Sequence, residues 1–502
     1  MINKKADICL VLEGTYPYIR GGVSAWVHEL IVTQPHLTFY LLCILPPEAS
    51  KAQIKVRYEL PPNVVGFTEV VLQKLPTGTV IRSKQETEEF FERLETSLLA
   101  LYRNATLEEF KSHIELIRSA NAEVGKLLLF DSERAWKMVQ NMYHILMDET
   151  SFITFYWSCR ILLSGFYSML LAPMPEASLY HTICTGYAGL YIAMIHLVTG
   201  KPCLTTEHGI YTNERHIEIA VTEWLEDLKS LNFTIDEKSL KEDLKDYWIN
   251  TYAQYAKLCY QASDRIITLF EGNRDLQIKD GADPNKSIVI RNGVDMTLYE
   301  NIERVSGRPP TVAFIGRIVP VKDVKCFIHS ISLLKKKLPE VRAFIIGPSD
   351  EDKEYYYECC DLIASSQLEE TIIMTGPVKV IDYLSQIDVI TLTSLSEAQP
   401  LVLLEAGAAG IPCVATNVGC CAEIIYGTPD EEPNLGPAGF LTELATPQST
   451  ADHLYYLLAD KFFYDRCSKT IKERVRKYYD YGKWREAYKE LYDSILPAGE
   501  RR

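Results

Sequence analysis

The sequence predicts an α/β protein made of two doubly wound, Rossmann-like domains that face a cleft. From residue 311 onward, apolar runs such as TVAFIG, VRAFIIG and DVITLTS alternate with helix-like stretches. This alternation is typical of a parallel sheet with helices on both faces. The amino-terminal half repeats the pattern, and 502 residues are too many for one ordinary domain. Ligands of such folds bind beyond the carboxyl ends of the strands.

The first domain is predicted to span 1–295, with a helical insertion at about 83–170 that is rich in Glu, Lys, Leu and Arg. Apolar runs and helical periods place its elements as follows: strands at 6–13, 36–45, 178–186, 201–209, 265–269 and 287–295, and helices at 22–33, from Ala188 and across 215–262.

The second domain is predicted to span 296–470, and the remainder, 471–502, to form a helix that packs back across the first domain. The stretch 152–172 is almost long enough to span a bilayer. Arg160 near its centre makes that costly, so we expect a buried helix there.

Composition excludes several classes of function. The net charge of −15 argues against a nucleic-acid groove as the main surface. The thirteen cysteines contain no CxxC pair, which fits buried thiols in a reducing cytosol better than disulfides or zinc. The first apolar run reaches an acid and a glycine too early for a secretory signal and is read as a strand. We therefore expect a cytoplasmic protein.

The stretch SLSEAQPLVLLEAGAAGIPCVAT, 394–416, is the most informative. Glu397 lies in a loop after a predicted strand, and Glu405 follows eight residues later in the second turn of a helix that Pro400 is placed to open. Carboxylates accept hydrogen bonds from hydroxyl-rich ligands, and free N–H groups around Leu401 and Val402 suit an anion. The alternative is a capping acid followed by a solvated one.

A second pair of residues supplies positive charge. FIGRIVPVKD places Arg317 at the end of a predicted strand and Lys322 five residues later. Two cations at a strand's carboxyl end suit a diphosphate, although each alone would be read as an exposed charge.

Together these motifs resemble the retaining nucleotide-sugar glycosyltransferases of family 4, which have the GT-B fold. The blocks EGTYPYIRGGVSAWVHELI, CTGYAGLYIA and TTEHGIYTNER resemble, more narrowly, the glycosyltransferases of Pel exopolysaccharide assembly. The similarity extends over nearly the whole chain and is weakest across 50–150.

The resemblance implies roles for individual residues. Arg317 and Lys322 would hold the donor diphosphate, Glu405 the ribose and Glu397 a hydroxyl of the transferred sugar. The remaining donor contacts would be the backbone around Val378 and Val380 to uracil, Gly21 and Gly22 near the phosphates, and His208 near the sugar.

His208 has two readings. A lone His after a strand is more often structural, but its polar neighbours in TTEHG, at a strand end facing the expected cleft, favour a site residue. His181 is expected to be structural or to support the site from behind. On the acceptor side we expect Tyr16, Tyr18 and Arg20, while Glu214 and Arg215 either contact a substrate or pair with each other.

Asp350-Glu-Asp352 has the DxD form of a metal site, but it precedes a predicted helix, where acids favour the positive helix end. We read it as a helix start and expect no metal and no other cofactor.

The predicted function is therefore transfer of a sugar, with retention, from a UDP-hexose or UDP-N-acetylhexosamine to a growing exopolysaccharide. The resemblance implies partners in an inner-membrane synthase and export assembly, and no nucleic acid. A UDP-sugar 2-epimerase of the same fold and a non-catalytic UDP-sugar-binding subunit remain as alternatives. A dehydrogenase is disfavoured because no G-x-G-x-x-G follows the first strand.

Overall fold

A computed structural model describes residues 5–19, 21–47, 55–78, 83–119, 124–147, 151–221, 237–429 and 431–496. Its contacts divide the chain into two units. The first comprises Met1–Val289 with Lys489–Arg502, and the second comprises Ile290–Tyr488. Each unit contains one parallel sheet with helices, which confirms the predicted α/β class with two Rossmann-like domains.

The first unit has a seven-stranded sheet in the order β3-β2-β1-β4-β5-β6-β7. Its strands are β1 (Ala6–Glu13), β2 (Phe39–Leu45), β3 (Val64–Val71), β4 (Ala177–Thr182), β5 (Cys203–Glu207), β6 (Arg265–Thr268) and β7 (Ser287–Val289). Its helices are α1 (Gly22–Val32), α2 (Lys84–Asn104), α3 (Leu107–Ser119), α4 (Lys126–Leu129), α5 (Glu133–Leu146), α6 (Phe152–Leu170), α7 (Tyr187–Thr199), α8 (Tyr211–Val221), α9 (Glu237–Ala262) and α10 (Glu271–Lys279).

Strand β1 lies in the core of this unit, which explains its continuous apolar sequence. The run ADICLVLE of β1 is buried along nearly its whole length, because a central parallel strand is covered by helices on both faces. The register pairs Ile8 with Phe39 of β2 and with Leu179 of β4.

Helices α2 to α6 form the predicted insertion. Ser83 and Glu86 make a capping box that starts α2. Helix α6 is buried over most of its length, as expected of 152–172. None of the helices in the described ranges is long and apolar enough to cross a membrane.

The second unit has a six-stranded sheet in the order β10-β9-β8-β11-β12-β13. Its strands are β8 (Thr311–Ile315), β9 (Arg342–Ile346), β10 (Ile372–Gly376), β11 (Val389–Leu392), β12 (Cys413–Thr416) and β13 (Gly439–Thr442). Its helices are α11 (Met296–Tyr299), α12 (Val324–Lys337), α13 (Lys353–Ser365), α14 (Ile381–Leu384), α15 (Leu401–Ala408), α16 (Cys421–Tyr426), α17 (Pro447–Ala459), α18 (Lys461–Tyr478) and α19 (Tyr481–Ile495), the last of which continues into the first unit from Lys489.

The strand order places a topological switch point in each sheet. It lies between β1 and β4 in the first unit and between β8 and β11 in the second. Loops that leave neighbouring strands in opposite directions open a crevice there, which is where ligands bind in this class of fold.

Candidate functional site

The switch point of the second unit brings Lys322 and Glu397 together. Lys322 ends a short 3-10 turn after β8, and Glu397 lies in the loop after β11. Lys322 Nζ lies 2.5 Å from Glu397 Oε1, and the Ser394 hydroxyl donates to the same oxygen at 2.6 Å. Both charged side chains are largely buried. The two motifs recognised separately in the sequence are thus neighbours across the crevice.

Arg317 follows β8 as expected, but the structure gives it a different partner. Its guanidinium binds both carboxylate oxygens of Glu351, in the loop after β9, at 2.6 and 2.7 Å. About half of each side chain is exposed, at 50% and 56%. An exposed pair of this kind contributes little to stability, so an incoming phosphate can compete for Arg317.

The Asp350-Glu-Asp352 segment behaves as a helix start. The Asp352 carboxylate accepts from Tyr355 N at 2.9 Å and caps α13, which confirms that part of the sequence reading. No group of three or more His, Cys, Asp and Glu side chains within the described ranges is arranged to hold a metal ion.

Glu405 lies in the second turn of α15. Burial raises the pKa of its carboxyl to about 7, and the neighbouring Tyr299 phenol opposes this rise. A carboxyl with this pKa exists in both charge states near neutral pH, and strongly shifted acids cluster at functional sites.

The start of α15 offers backbone donors to the same crevice. Pro400 is the N-cap residue of α15 and lacks an N–H, so the first free donors are the amides of Leu401 and Val402. Among the described residues, no side chain caps this helix. Gln399, which the sequence reading missed, is buried and its Oε1 accepts from Asn292 N at 2.8 Å. This bond ties the loop before α15 to the segment that precedes α11.

Val378 and Val380 lie in the loop between β10 and α14, and both are partly buried. Val380 is the N-cap residue of α14. Their backbone therefore lies beyond the carboxyl end of β10, at the same edge of the parallel sheet as Arg317 after β8 and Glu397 after β11.

His208 directly follows β5 in the first unit. Its ring packs edge-on against Trp26 of α1 with the ring centroids 4.5 Å apart. Both ring nitrogens are buried, and neither has a hydrogen-bond partner among the residues that the structure describes. Burial lowers the pKa of His208 to about 4, so the ring is neutral at pH 7. A buried polar group without a partner calls for a ligand or another explanation.

Two carboxylates, the partly buried Glu13 and the buried Glu207, occupy helix starts on the same sheet edge. Glu13 accepts from Ala188 N in the first turn of α7, at 3.1 Å, and from the Tyr211 hydroxyl at 3.0 Å. Glu207 accepts from Tyr211 N at the start of α8, at 3.3 Å, and from the Tyr260 hydroxyl at 2.6 Å. The sequence analysis assigned neither acid a contact of its own: Glu13 only ends the predicted strand 6–13, and Glu207 counted only as a polar neighbour of His208.

The start of α1 differs from those of α7 and α8. Gly21 is its N-cap residue and no side chain caps it. A Cβ atom added at Gly21 or Gly22 would meet no described atom within 4 Å. Among the described atoms, the start of α1 leaves open space at its glycines, whereas a Cβ atom at Gly186, before α7, would meet Tyr211 and Glu13; such space at a helix start suits an anion.

Tyr16 and Tyr18 do not present their rings to solvent. Tyr16 is fully buried and its hydroxyl lies 3.1 Å from His28 Nδ1. The Tyr18 hydroxyl donates to Glu69 Oε1 at 2.6 Å. Both rings are covered and both hydroxyls have protein partners, and the acceptor-side role of Tyr16 and Tyr18 stays a prediction. Arg20 lies outside the described residues.

Glu214 and Arg215 lie in the first turns of α8. The Glu214 carboxylate covers Gly209, and the Arg215 guanidinium lies over the Tyr211 ring at 4.9 Å. A Cβ atom at Gly209 would meet the Glu214 carboxylate, which is the far end of a flexible side chain and can move aside.

Comparisons with known proteins agree with this organisation. Residues 6–285 match the model of "Domain of unknown function (DUF3492)", and residues 295–474 match that of "Glycosyl transferases group 1". Over 172 residues the chain is 28% identical to D-inositol 3-phosphate glycosyltransferase of Rhodococcus jostii, an alignment that covers 31% of this chain and 38% of that protein. The chain thus spans well under half the length of that relative.

Two solved structures share the architecture. Sucrose-phosphate synthase of Thermosynechococcus elongatus has a TM-score of 0.58 at 16% identity, covering 98% of this chain and 99% of that one. Anabaena HepE in complex with UDP and glucose has a TM-score of 0.57 at 14% identity, covering 97% and 100%.

The two parallel-sheet units and these neighbours define a protein of the GT-B fold, whose residues 295–474 match the group 1 glycosyltransferase model. Because the DUF3492 model matches more than half of it, the chain belongs to the DUF3492 family.

Proposed function

We propose that this protein is a retaining glycosyltransferase that moves a sugar from a UDP-sugar to a growing exopolysaccharide. The observation that carries the proposal is the Lys322–Glu397 pair at the switch point of the second unit, within the region that matches the group 1 glycosyltransferases. The structural neighbour HepE forms a complex with UDP, which supports the donor class. The similarity of the amino-terminal blocks to Pel exopolysaccharide glycosyltransferases supports the acceptor class.

The donor's nucleotide part would bind to the second unit. Lys322 and Arg317 exchange their carboxylate partners for the diphosphate, and the free amides of Leu401 and Val402 add backbone donors. Glu405 accepts from the ribose hydroxyls, and the backbone around Val378 and Val380 contacts the uracil.

Glu397 and His208 would form hydrogen bonds with the transferred sugar. Once Lys322 turns to the diphosphate, Glu397 retains the Ser394 hydroxyl and gains capacity to accept from a sugar hydroxyl. In the first unit, the neutral His208 ring has one N–H donor and one acceptor for a sugar, and Gly21 and Gly22 leave room beside α1 for phosphate oxygens.

The chemistry follows from this division of roles. The bond between the anomeric carbon and the phosphate oxygen breaks while the acceptor oxygen forms its bond to the anomeric carbon from the same face, and the departing phosphate takes the acceptor's proton. Lys322, Arg317 and helix N–H groups stabilise the charge that develops on the leaving diphosphate. Positioning of donor and acceptor contributes up to roughly 10 kcal/mol. The enzyme would work in the cytoplasm beside membrane-bound synthase and export partners.

A panel of UDP-sugars tests the proposal. The purified protein is screened by thermal shift, and the stabilising donor is incubated with and without an acceptor oligosaccharide and followed by NMR. We expect a product glycoside with the donor's anomeric configuration. Conversion of the donor alone to a 2-epimer would identify an epimerase instead, and binding of the donor without either reaction would identify a non-catalytic subunit.

A further inference from the structure

A buried polar row lies on the sheet of the first unit beside His208. His181 of β4 places Nε2 2.9 Å from the Thr206 hydroxyl of β5 and Nδ1 2.8 Å from the Tyr492 hydroxyl of α19. All three side chains are fully buried. Tyr492 belongs to the segment Lys489–Arg502, which is part of this unit.

His208 is the first residue after β5, the strand that carries Thr206, and lies two positions from it. Within β5, alternation puts Thr206 and Glu207 on opposite faces of the sheet. The intervening Glu207 points to the opposite face, where Tyr260 of α9 donates to it. The pKa of His181 is lowered mainly by burial and further by His208, an effect expected of two rings that lie near each other.

His181 is saturated by its partners, in contrast to His208. A neutral imidazole has one donor and one acceptor nitrogen, and a hydroxyl satisfies either. Burial lowers the pKa of His181 to about 3, so the ring stays neutral. A saturated, neutral and buried histidine fixes its neighbours but has no nitrogen left for a substrate.

Tyr492 is buried in the first unit. Its ring packs edge-on against Phe39 of β2 at 6.5 Å, and the adjacent Asp493 carboxylate lies 4.0 Å from His36 Nε2. We propose that His181 and Tyr492 are positioning residues for His208, with Tyr492 fixing the His181 ring and His181 fixing the carboxyl end of β5 through Thr206. This inference rests on the role of His208 in the proposed function.

Tyr492→Phe tests the first link, because it removes the hydroxyl and keeps the ring against Phe39. We expect kcat for sugar transfer to fall about tenfold, the scale of a small misplacement of an active-site group, with KM and UDP affinity changed by less than twofold. Tyr191→Phe is the matched control: it removes another buried hydroxyl of this unit, which donates to Pro173 O at 2.7 Å without involving His181.

Thr206→Val tests the second link with a side chain of the same shape. We expect a similar loss of kcat, and a Tyr492→Phe/Thr206→Val double variant no slower than the worse single one, because one chain of contacts is broken twice. The proposal is overturned if both single variants keep kcat within twofold of wild type, or if Tyr191→Phe loses as much kcat as Tyr492→Phe.

His208→Ala separates this inference from the proposed function. Full activity of His208→Ala would refute the role assigned to His208 itself. Loss of transfer in His208→Ala together with normal rates in Tyr492→Phe and Thr206→Val would refute the positioning row alone.

Discussion

At the scale of single residues, burial decides the charge of Glu405. Its pKa is raised to about 7 in the folded chain, against an ordinary value of 4.5. Between pH 4.5 and about pH 7, Glu405 is therefore mostly protonated in the native state and mostly ionised in the unfolded state. The stabilising contribution is fully present below pH 4.5 and is lost as the pH rises through 7.

Glu405→Gln removes this titration. As the pH rises from 4.5 to 8, we expect the variant to become more stable relative to wild type. The difference between their free energies of unfolding should grow by up to about 3 kcal/mol, because each unit of pKa shift corresponds to about 1.36 kcal/mol. Urea denaturation of both proteins across this range measures the difference. A constant difference would show that Glu405 has an ordinary pKa.

Lys322 is expected to supply a charged contact to the donor diphosphate. Lys322→Met should weaken UDP binding about ten- to a hundredfold, as expected for loss of a charge-assisted hydrogen bond. Isothermal titration calorimetry gives the affinity. Lys325→Met is the matched control. Lys325 lies in α12 on the protein surface, and its Nζ is 2.7 Å from Oε2 of Glu358 in α13. Equal affinities of wild type and Lys322→Met for UDP would refute the assignment.

Part of the candidate site was readable from single residues, and part was not. The sequence alone could propose four candidate site residues because they stand in short motifs: Arg317, Lys322, Glu397 and Glu405. Glu13 and Tyr492 could not be found this way. Their partners lie 175 and 311 residues away in the chain, and only the folded sheet brings these groups together.

At the scale of elements, α1 combines an unstrained start with open space. Gly22 is the first residue of the helix, and a methyl group there meets no described atom within 4 Å. Gly22→Ala should therefore leave the fold intact and stabilise it by about 0.5–1 kcal/mol, because alanine loses less backbone freedom than glycine in a helix.

The same methyl would enter the space assigned to the donor phosphates. We expect Gly22→Ala to melt at or above the wild-type temperature in calorimetry and yet to lose at least tenfold in kcat/KM for the UDP-sugar. Gly200→Ala is the opposite case: Gly200 ends α7 with a φ of +66°, so it should lower the melting temperature without changing kcat/KM. Wild-type kcat/KM in Gly22→Ala would remove α1 from the donor site.

Elements with a strong pattern were predicted well, and short partly exposed ones were not. The prediction for 6–13 coincides with β1, since a strand covered on both faces is a continuous apolar run. The edge strands β3 and β13 were missed. Both are partly exposed, so the apolar run that identifies a buried strand is interrupted in them.

At the scale of the whole molecule, the chain consists of two units with separate sheets and separate cores. The proposed nucleotide contacts belong to the second unit: Arg317, Lys322, Glu405 and the amides that start α15. A ligand that binds the native state stabilises it by RT ln(1 + [L]/Kd), which is about 2.7 kcal/mol at a hundredfold excess over Kd. UDP should therefore suppress local opening mainly where it is bound.

Hydrogen–deuterium exchange with mass spectrometry can locate that effect. With UDP at about a hundred times its Kd, we expect slower exchange in peptides covering 316–323 and 394–408, with smaller changes at 20–32 beside the open start of α1. Peptides from α2 to α5, which contribute none of the proposed donor contacts, serve as the internal reference and should be unchanged. Lys322→Met at the same UDP concentration should lose about half of this stabilisation if its Kd is tenfold weaker and most of it if its Kd is a hundredfold weaker. Protection concentrated in α2 to α5, or equal protection in Lys322→Met, would place the nucleotide elsewhere than at the switch point between β8 and β11.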